Sequence, residues 1–358
     1  MDNAIHKVLQ ADIAHCTLHI AHFSQLSTLK TNIKVDYQKI MCYHIIHHRL
    51  KGEPMLYRRY NEYIKQKYNA RIKKICIDAG FTCPNRDGTC GVGGCIFCGE
   101  RGAGDHIDIT SHSIREHVER YLRYTRRVDG FIAYFQSFTN TYAPVDVLRK
   151  RYDAALFDKR IVALAIATRP DCVSEDVAQL IQSYKSRVDV WAELGLQTSN
   201  DNTARLINRG YDTGAFENAC NILKKYDIPI VVHIMIGLPG ESDNELKNTV
   251  DYINHFDMQG IKIHNTYVMK NTRLEELYLN GEYTPITMDK YTDSVIYVLT
   301  HISPEIVIHR LTGDCPPDKL TAPDRNLRKE DIISEITRKM EERKVFQGCY
   351  YTKNNRDV

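Results

Sequence analysis

From about Lys73 onward the chain alternates short runs of β-branched and aromatic residues with longer stretches whose apolar positions recur at helical spacing. The strand-like runs are Lys73–Asp78, Phe131–Gln136, Ile161–Thr168, Val188–Gln197, Pro229–Gly237 and Gly260–Val268, with Glu305–Leu311 as a seventh. Between them lie Ser113–Arg127, Pro144–Phe157, Ser174–Tyr184, Thr213–Tyr226, Glu241–Phe256 and Thr287–Thr300, which the spacing predicts to be helices. Start signals support several of these. Pro144 stands at a first-turn position, Ser174 precedes Glu175 and Asp176, and Asp243 precedes Glu245. Repeated βα units without a second shift of composition predict an α/β fold, a partial (β/α)6-type TIM barrel, with polar and catalytic residues at the C-terminal ends of the strands.

Two flanks depart from this pattern. Residues 1–54 hold seven of the fifteen histidines without regular spacing. They read as an N-terminal helical extension that is weakly ordered, or as the product of a start codon set too early, in preference to a metal-binding tract. The barrel is expected over residues 55–312 and a C-terminal helical segment and tail over 313–358, with a charged helix at Leu327–Val345 capped by Asn326. No apolar run approaches the roughly 18 residues of a membrane span. The first thirty residues carry no secretory pattern, so a cytoplasmic protein with no membrane partner is expected. The net charge of +3 is too small to require a polyanion. Between Arg49 and Lys74, however, nine Lys/Arg face two Glu, a stretch that either tracks phosphates or forms a solvated helix face.

The eleven cysteines change the picture, because thiols in a reducing compartment point to metal or redox chemistry before disulfides. Directly after the first strand, Cys83-Pro-Asn-Arg-Asp-Gly-Thr-Cys90-Gly-Val-Gly-Gly-Cys95-Ile-Phe-Cys98 places four of them within sixteen residues of a Gly-rich loop. A CxxC pair brings two thiolates to one metal centre, and glycines let the backbone wrap it. A structural zinc site would take Cys90 as fourth ligand, but such sites usually pair two CxxC knuckles and one is present here. Chemistry alone leaves iron–sulfur and zinc both open.

The segment Asp78-Ala-Gly-Phe-Thr-Cys-Pro-Asn-Arg-Asp-Gly-Thr with Gly-Gly-Cys-Ile-Phe-Cys resembles the radical SAM superfamily, and within it the YhcC/YtqA-type branch related to the Elongator catalytic subunit. The superfamily spacing is usually CxxxCxxC. Here Cys83 stands twelve positions before Cys95, a longer gap that this branch shares. The resemblance runs from about Tyr57 to Lys344. It implies a [4Fe–4S] cluster on Cys83, Cys95 and Cys98, with Cys90 a bystander, and S-adenosylmethionine chelated at the fourth iron and cleaved reductively to a 5′-deoxyadenosyl radical. It further implies that Gln136 and Ser137 stand where the methionine amine is held, that Arg169 is aimed at the site, and that Glu193 or Gln197 binds the ribose or methionine portion. Arg209 would pair with the methionine carboxylate, and His233-Ile-Met-Ile-Gly-Leu-Pro-Gly-Glu241 would pack against adenine. The implied partners are an external one-electron donor of flavodoxin or ferredoxin type and tRNA, whose wobble uridine side chain would be processed. Two alternatives are a radical SAM enzyme acting on a small molecule or protein, and a non-catalytic Fe–S or zinc-binding protein.

Overall fold

A computed structural model of the chain describes residues 55–102, 104, 107, 113–323 and 328–352. The strands are β1 (Ile72–Ile77), β2 (Gly130–Phe135), β3 (Ile161–Thr168), β4 (Asp189–Gln197), β5 (Ile230–Ile236), β6 (Gly260–Asn265) and β8 (Val307–Arg310). They pair in parallel in the order β1-β2-β3-β4-β5-β6-β8, an open half-barrel. Helices on the convex face are α2 (Ile114–Tyr124), α3 (Val145–Ala155), α4 (Glu175–Ser183), α6 (Thr213–Lys225), α7 (Asp243–Ile253) and α9 (Met288–His301). Both faces of the sheet are covered, which is why its strands read as near-continuous apolar runs. Ile75, Phe131, Phe135, Leu164, Ile166, Leu194, Val232 and Ile263 point outward into the main core under the helices. The alternate positions Ile132, Tyr134, Ala163, Ala165, Ala167, Trp191 and Val231 line the concave face.

Helix α1 (Tyr60–Tyr68) closes the N-terminal end of that concave face. Its Ile64, with Tyr60, Tyr63 and Tyr68 beside it, packs on the inward residues of β2 to β5. Tyr68 bonds Asp189 at the start of β4 at 2.6 Å, and Gln259, just before β6, donates to Tyr63 at 2.9 Å. The basic stretch therefore resolves into packing and ion pairs for much of its described length. Arg58 pairs with Glu305 at 3.2 Å, Lys67 with Asp189 at 3.0 Å, and Lys74 points into the barrel. Lys65, Lys67, Arg71 and Lys73 of the same stretch are exposed. Arg49 and Lys51, like all of residues 1–54, lie outside the described residues.

Three sequence expectations are corrected at element ends. The run Gly260–Val268 breaks after Asn265, where Thr266 turns its hydroxyl onto the Ile236 carbonyl at 2.9 Å. The next strand, β7 (Val268–Met269), pairs antiparallel with β9 (Leu320–Ala322) in a separate small sheet. Ser242, one residue earlier than expected, caps α7 in a reciprocal capping box with Glu245. The C-terminal helix α10 (Lys329–Glu342) follows Arg328, while Asn326 lies outside the described residues. Ile332, Ile336 and Met340 of α10 join the main core, and Lys339 reaches Asp289 at 2.6 Å and Asp293 at 2.9 Å on α9. No described helix is long and apolar enough to cross a membrane.

Candidate active site

The cysteine loop leaves the C-terminal end of β1 and folds back on itself. Arg86 N–H donates to the Cys83 carbonyl at 2.8 Å, Gly94 N–H to Asn85 at 2.8 Å and Cys98 N–H to Cys95 at 2.9 Å. Asn85, fully buried, anchors this turn by donating its amide to the Asn208 carbonyl at 2.6 Å. The approach is close enough that a Cβ on Gly91 would stand 2.1 Å from the Asn85 Oδ1, so glycine is required there. Arg86 spans the far side of the loop, donating to the carbonyls of Cys98 at 2.9 Å and Gly99 at 2.6 Å. Cys83, Cys95 and Cys98 are half-buried and face one cavity of about 360 Å³. Cys90 is exposed and is not among the cavity's lining residues. Burial pushes the Cys95 thiol up to about 12, and the adjoining Cys98 and Cys83 add to the rise against the pull of Arg169.

The cavity lies at the C-terminal ends of the strands and gathers Gln136, Arg169, Glu193, Gln197 and His233 around the same space as the three thiols. Arg169 is held by Asp171 through two bonds of 2.9 and 2.6 Å, and its Nη1 stands 3.9 Å from the Cys83 Sγ. Its Nη2 is 3.4 Å from the Cys90 Sγ. At the end of β4, Gln197 takes a left-handed backbone at φ 60° and folds its side chain back over Gly195, with Tyr211 donating to its Oε1 at 2.9 Å.

Two expected residues are elsewhere. Ser137 is buried away from the cavity lining, with its Oγ crowded against Gly104, where a Cβ would come within 2.4 Å. Arg209 is fully buried and outside the lining, which corrects its expected carboxylate-binding position. Its guanidinium donates to the carbonyls of Leu196, Thr198 at 2.8 Å and Tyr211 at 3.0 Å, and it pairs with Asp201 at 3.3 Å. Its own carbonyl accepts from Arg169 at 2.9 Å, so it braces the loop that positions Arg169. The segment His233–Glu241 divides as well. His233 and Met235 line the main cavity, whereas Gly237 to Glu241 line a separate one of about 280 Å³.

Glu193 is the centre of a buried network that sequence reasoning only half found. Trp191 donates to its Oε1 at 3.1 Å, His233 Nε2 lies 2.9 Å from its Oε2, Lys262 is in contact with the same oxygen, and Lys74 stands 4.0 Å away. Both oxygens of Glu193 are engaged by protein groups, and the carboxylate organises the cations around it. Burial alone would raise its pKa, but Lys262, Lys74 and the His233 bond outweigh it and hold the carboxyl well below its usual range. Burial also lowers His233 to about 4, with Lys262 adding to the fall, so the imidazole is neutral near pH 7. Lys74, Lys262, Tyr134, His264 and Arg310 were missed. The signal was present in strand parity, since Lys262 and His264 alternate with the outward Ile261 and Ile263 on β6.

A parallel half-barrel with a thiol-rich loop after its first strand and this cavity at its strand ends defines a class. The chain matches the family model of the radical SAM superfamily over residues 81–253 and that of the radical SAM C-terminal domain over residues 258–342, and it belongs to that superfamily. It is similar to protein YtqA of Bacillus subtilis (strain 168), 36% identical over 298 residues that cover 82% of this chain and 92% of that one. A tRNA uridine(34) acetyltransferase of Dehalococcoides mccartyi is 32% identical over 161 residues, 44% of this chain and 34% of that protein. The solved structure of Methanocaldococcus infernus Elp3 shares the fold, with a TM-score of 0.59 at 18% identity over 77% of this chain and 64% of that one. Enzymes of this superfamily use a [4Fe–4S] cluster and S-adenosylmethionine. The donor set fits such a cluster: three thiols face one cavity, and N–H groups of Arg169 and Asn85 stand 3.9 Å from Cys83 and Cys95 respectively, where they would stabilise thiolate.

Proposed function

We propose that Cys83, Cys95 and Cys98 hold the cluster, leaving one iron open to S-adenosylmethionine, and that the enzyme processes the side chain of a tRNA wobble uridine, such as conversion of a carboxymethylaminomethyl to an aminomethyl group. The observation that carries the first part is the convergence of those three thiols with Gln136, Arg169, Gln197 and His233 on one cavity, from which Cys90 is left out. When bound, the cluster and S-adenosylmethionine supply a reductively generated carbon radical able to take hydrogen from an unactivated C–H bond. The protein's own groups do the rest. Gln136 and Gln197 offer amides to the polar ends of the cosubstrate, Arg169 sets a positive charge beside Cys83, and the apolar lining residues Phe97, Phe138 and Met235 help keep competing hydrogen donors and water out. An external one-electron donor of flavodoxin or ferredoxin type completes the cycle.

The tRNA part is supported by similarity to the tRNA uridine(34) acetyltransferase over 161 residues, 44% of this chain. Anaerobic reconstitution of Cys83→Ala, Cys95→Ala, Cys98→Ala and Cys90→Ala tests the ligands: iron content and brown absorbance should vanish in the first three and persist in the last. Equal loss in Cys90→Ala removes the assignment. Nucleoside analysis of tRNA from cells with and without the gene tests the substrate. Unchanged wobble uridines remove it.

A further inference from the structure

Opposite the cysteines, the cavity is walled by β6 and β8, where Lys262 and Arg310 are register partners on adjacent parallel strands and both line the space. The charges there do not balance. Glu193 is shared between Lys262 and Lys74, and Asp314 is shared between Arg310 at 3.0 Å and Lys329 at 3.4 Å. Each carboxylate thus serves two basic groups, of which Lys74, lowered by burial to about 7, is only partly charged near neutral pH. Lys262 is 5% exposed and spends two of its three N–H donors on Glu193 and, at 2.8 Å, on the Tyr134 hydroxyl. The nearby His264 carries a buried Nε2 with no hydrogen-bond partner and also lines the cavity. A ligand oxygen at this wall would meet a lysine, a guanidinium and an imidazole at once, the donor set that suits a carboxylate.

We propose that the β6–β8 wall is a carboxylate-binding subsite, in which Lys262 and Arg310 hold the acidic end of the substrate's side chain while His264 contributes a further polar contact. This rests on the reading of the cavity as the reaction chamber, and it narrows the substrate class to side chains that end in a carboxylate. On the cysteine side Arg169 is balanced by Asp171 through two hydrogen bonds, and the Arg86 guanidinium is turned onto the Cys98 and Gly99 carbonyls.

The test is calorimetric binding to the reconstituted full chain of two matched pairs of probes. One pair is carboxymethylaminomethyluridine and aminomethyluridine; the other is N-benzylglycine and N-methylbenzylamine. The acidic member of each pair should bind about tenfold or more tightly than its neutral-ended counterpart, the discrimination expected of a charge-assisted bond. Arg310→Gln, at the half-exposed rim, should abolish the preference. The charge-neutral double variant Glu193→Gln/Lys262→Met, checked for folding by its melting curve, should do the same. Preference for N-benzylglycine with no discrimination between the uridines would keep the subsite and remove the wobble-uridine reading. Absence of preference in both pairs, a preference that survives Arg310→Gln, or competitive displacement of the acidic probes by S-adenosylmethionine would each overturn the subsite.

Discussion

At the scale of single residues, titration behaviour follows from placement. His233 and Glu193 share one hydrogen bond, yet burial and Lys262 keep the imidazole neutral while the carboxyl stays ionised. The unfolded imidazole takes a proton near pH 6.5 and the folded one only near 4. Its contribution to stability is therefore complete above about pH 6.5 and is lost as pH falls toward 4. The His233 ring resonances in an NMR titration should stay flat from about pH 8 down to about pH 5. Glu241 shows the opposite sign. Burial raises its carboxyl to about 7 and leaves its Oε1 without a partner, so the folded state loses stability as pH rises from about 4.5 through about 7. Glu241→Gln should raise the melting temperature at pH 8 by several degrees, on the order of 1–2 kcal/mol, and leave it nearly unchanged at pH 5. Of the residues expected from sequence, those on strand ends with inward parity reached the cavity. Arg209 did not, because the requirement it meets is for donors to the Leu196, Thr198 and Tyr211 carbonyls, and those become visible only when the loop is folded.

At the scale of elements, β4 shows how a backbone feature fixes a functional side chain. A Cβ at position 195 would stand 2.6 Å from the Gln197 Nε2, the far end of a flexible side chain that can swing away. Gly195→Ala should therefore melt within a few degrees of the parent yet bind S-adenosylmethionine several-fold more weakly, since the Gln197 amide is displaced; equal affinity would show that Gln197 makes no contact. Five of the parallel strands were legible within about a residue because β-branched runs buried on both faces leave no polar alternation to misread. The break at Thr266 was not legible, since Val268 continues the apolar pattern into a different sheet. Helix α1 was legible as a helix with a solvated basic face, where Lys65 and Lys67 are exposed, but its inward face was not, because its Tyr residues carry basic neighbours while their rings turn inward.

At the scale of the whole molecule, the open edges of the half-barrel are held by pieces distant in sequence. Arg59 bridges to Ile308 on β8, Gln347 N–H donates to the Leu56 carbonyl at 2.8 Å, and Arg58 N–H donates back to the Gln347 side chain at 2.8 Å. A chain started at Met55 should fold and reconstitute its cluster. One started at Ile72 loses α1, exposes Ile132, Trp191 and Val231, and should bind a hydrophobic dye and melt far lower. Dye binding equal in the two truncations would refute the role given to α1.

That same plug has a kinetic consequence. Among the described residues, with α1 seated over the N-terminal end of the strands, the groups at depth, Glu193 and Lys262, are reached from the end where the cysteines stand. Two reactants that pass one mouth cannot arrive in any order: the one that sits deeper goes in first and comes out last. Initial-rate patterns should then be those of compulsory-order binding, with a dead-end analogue of the shallower reactant uncompetitive against the deeper one.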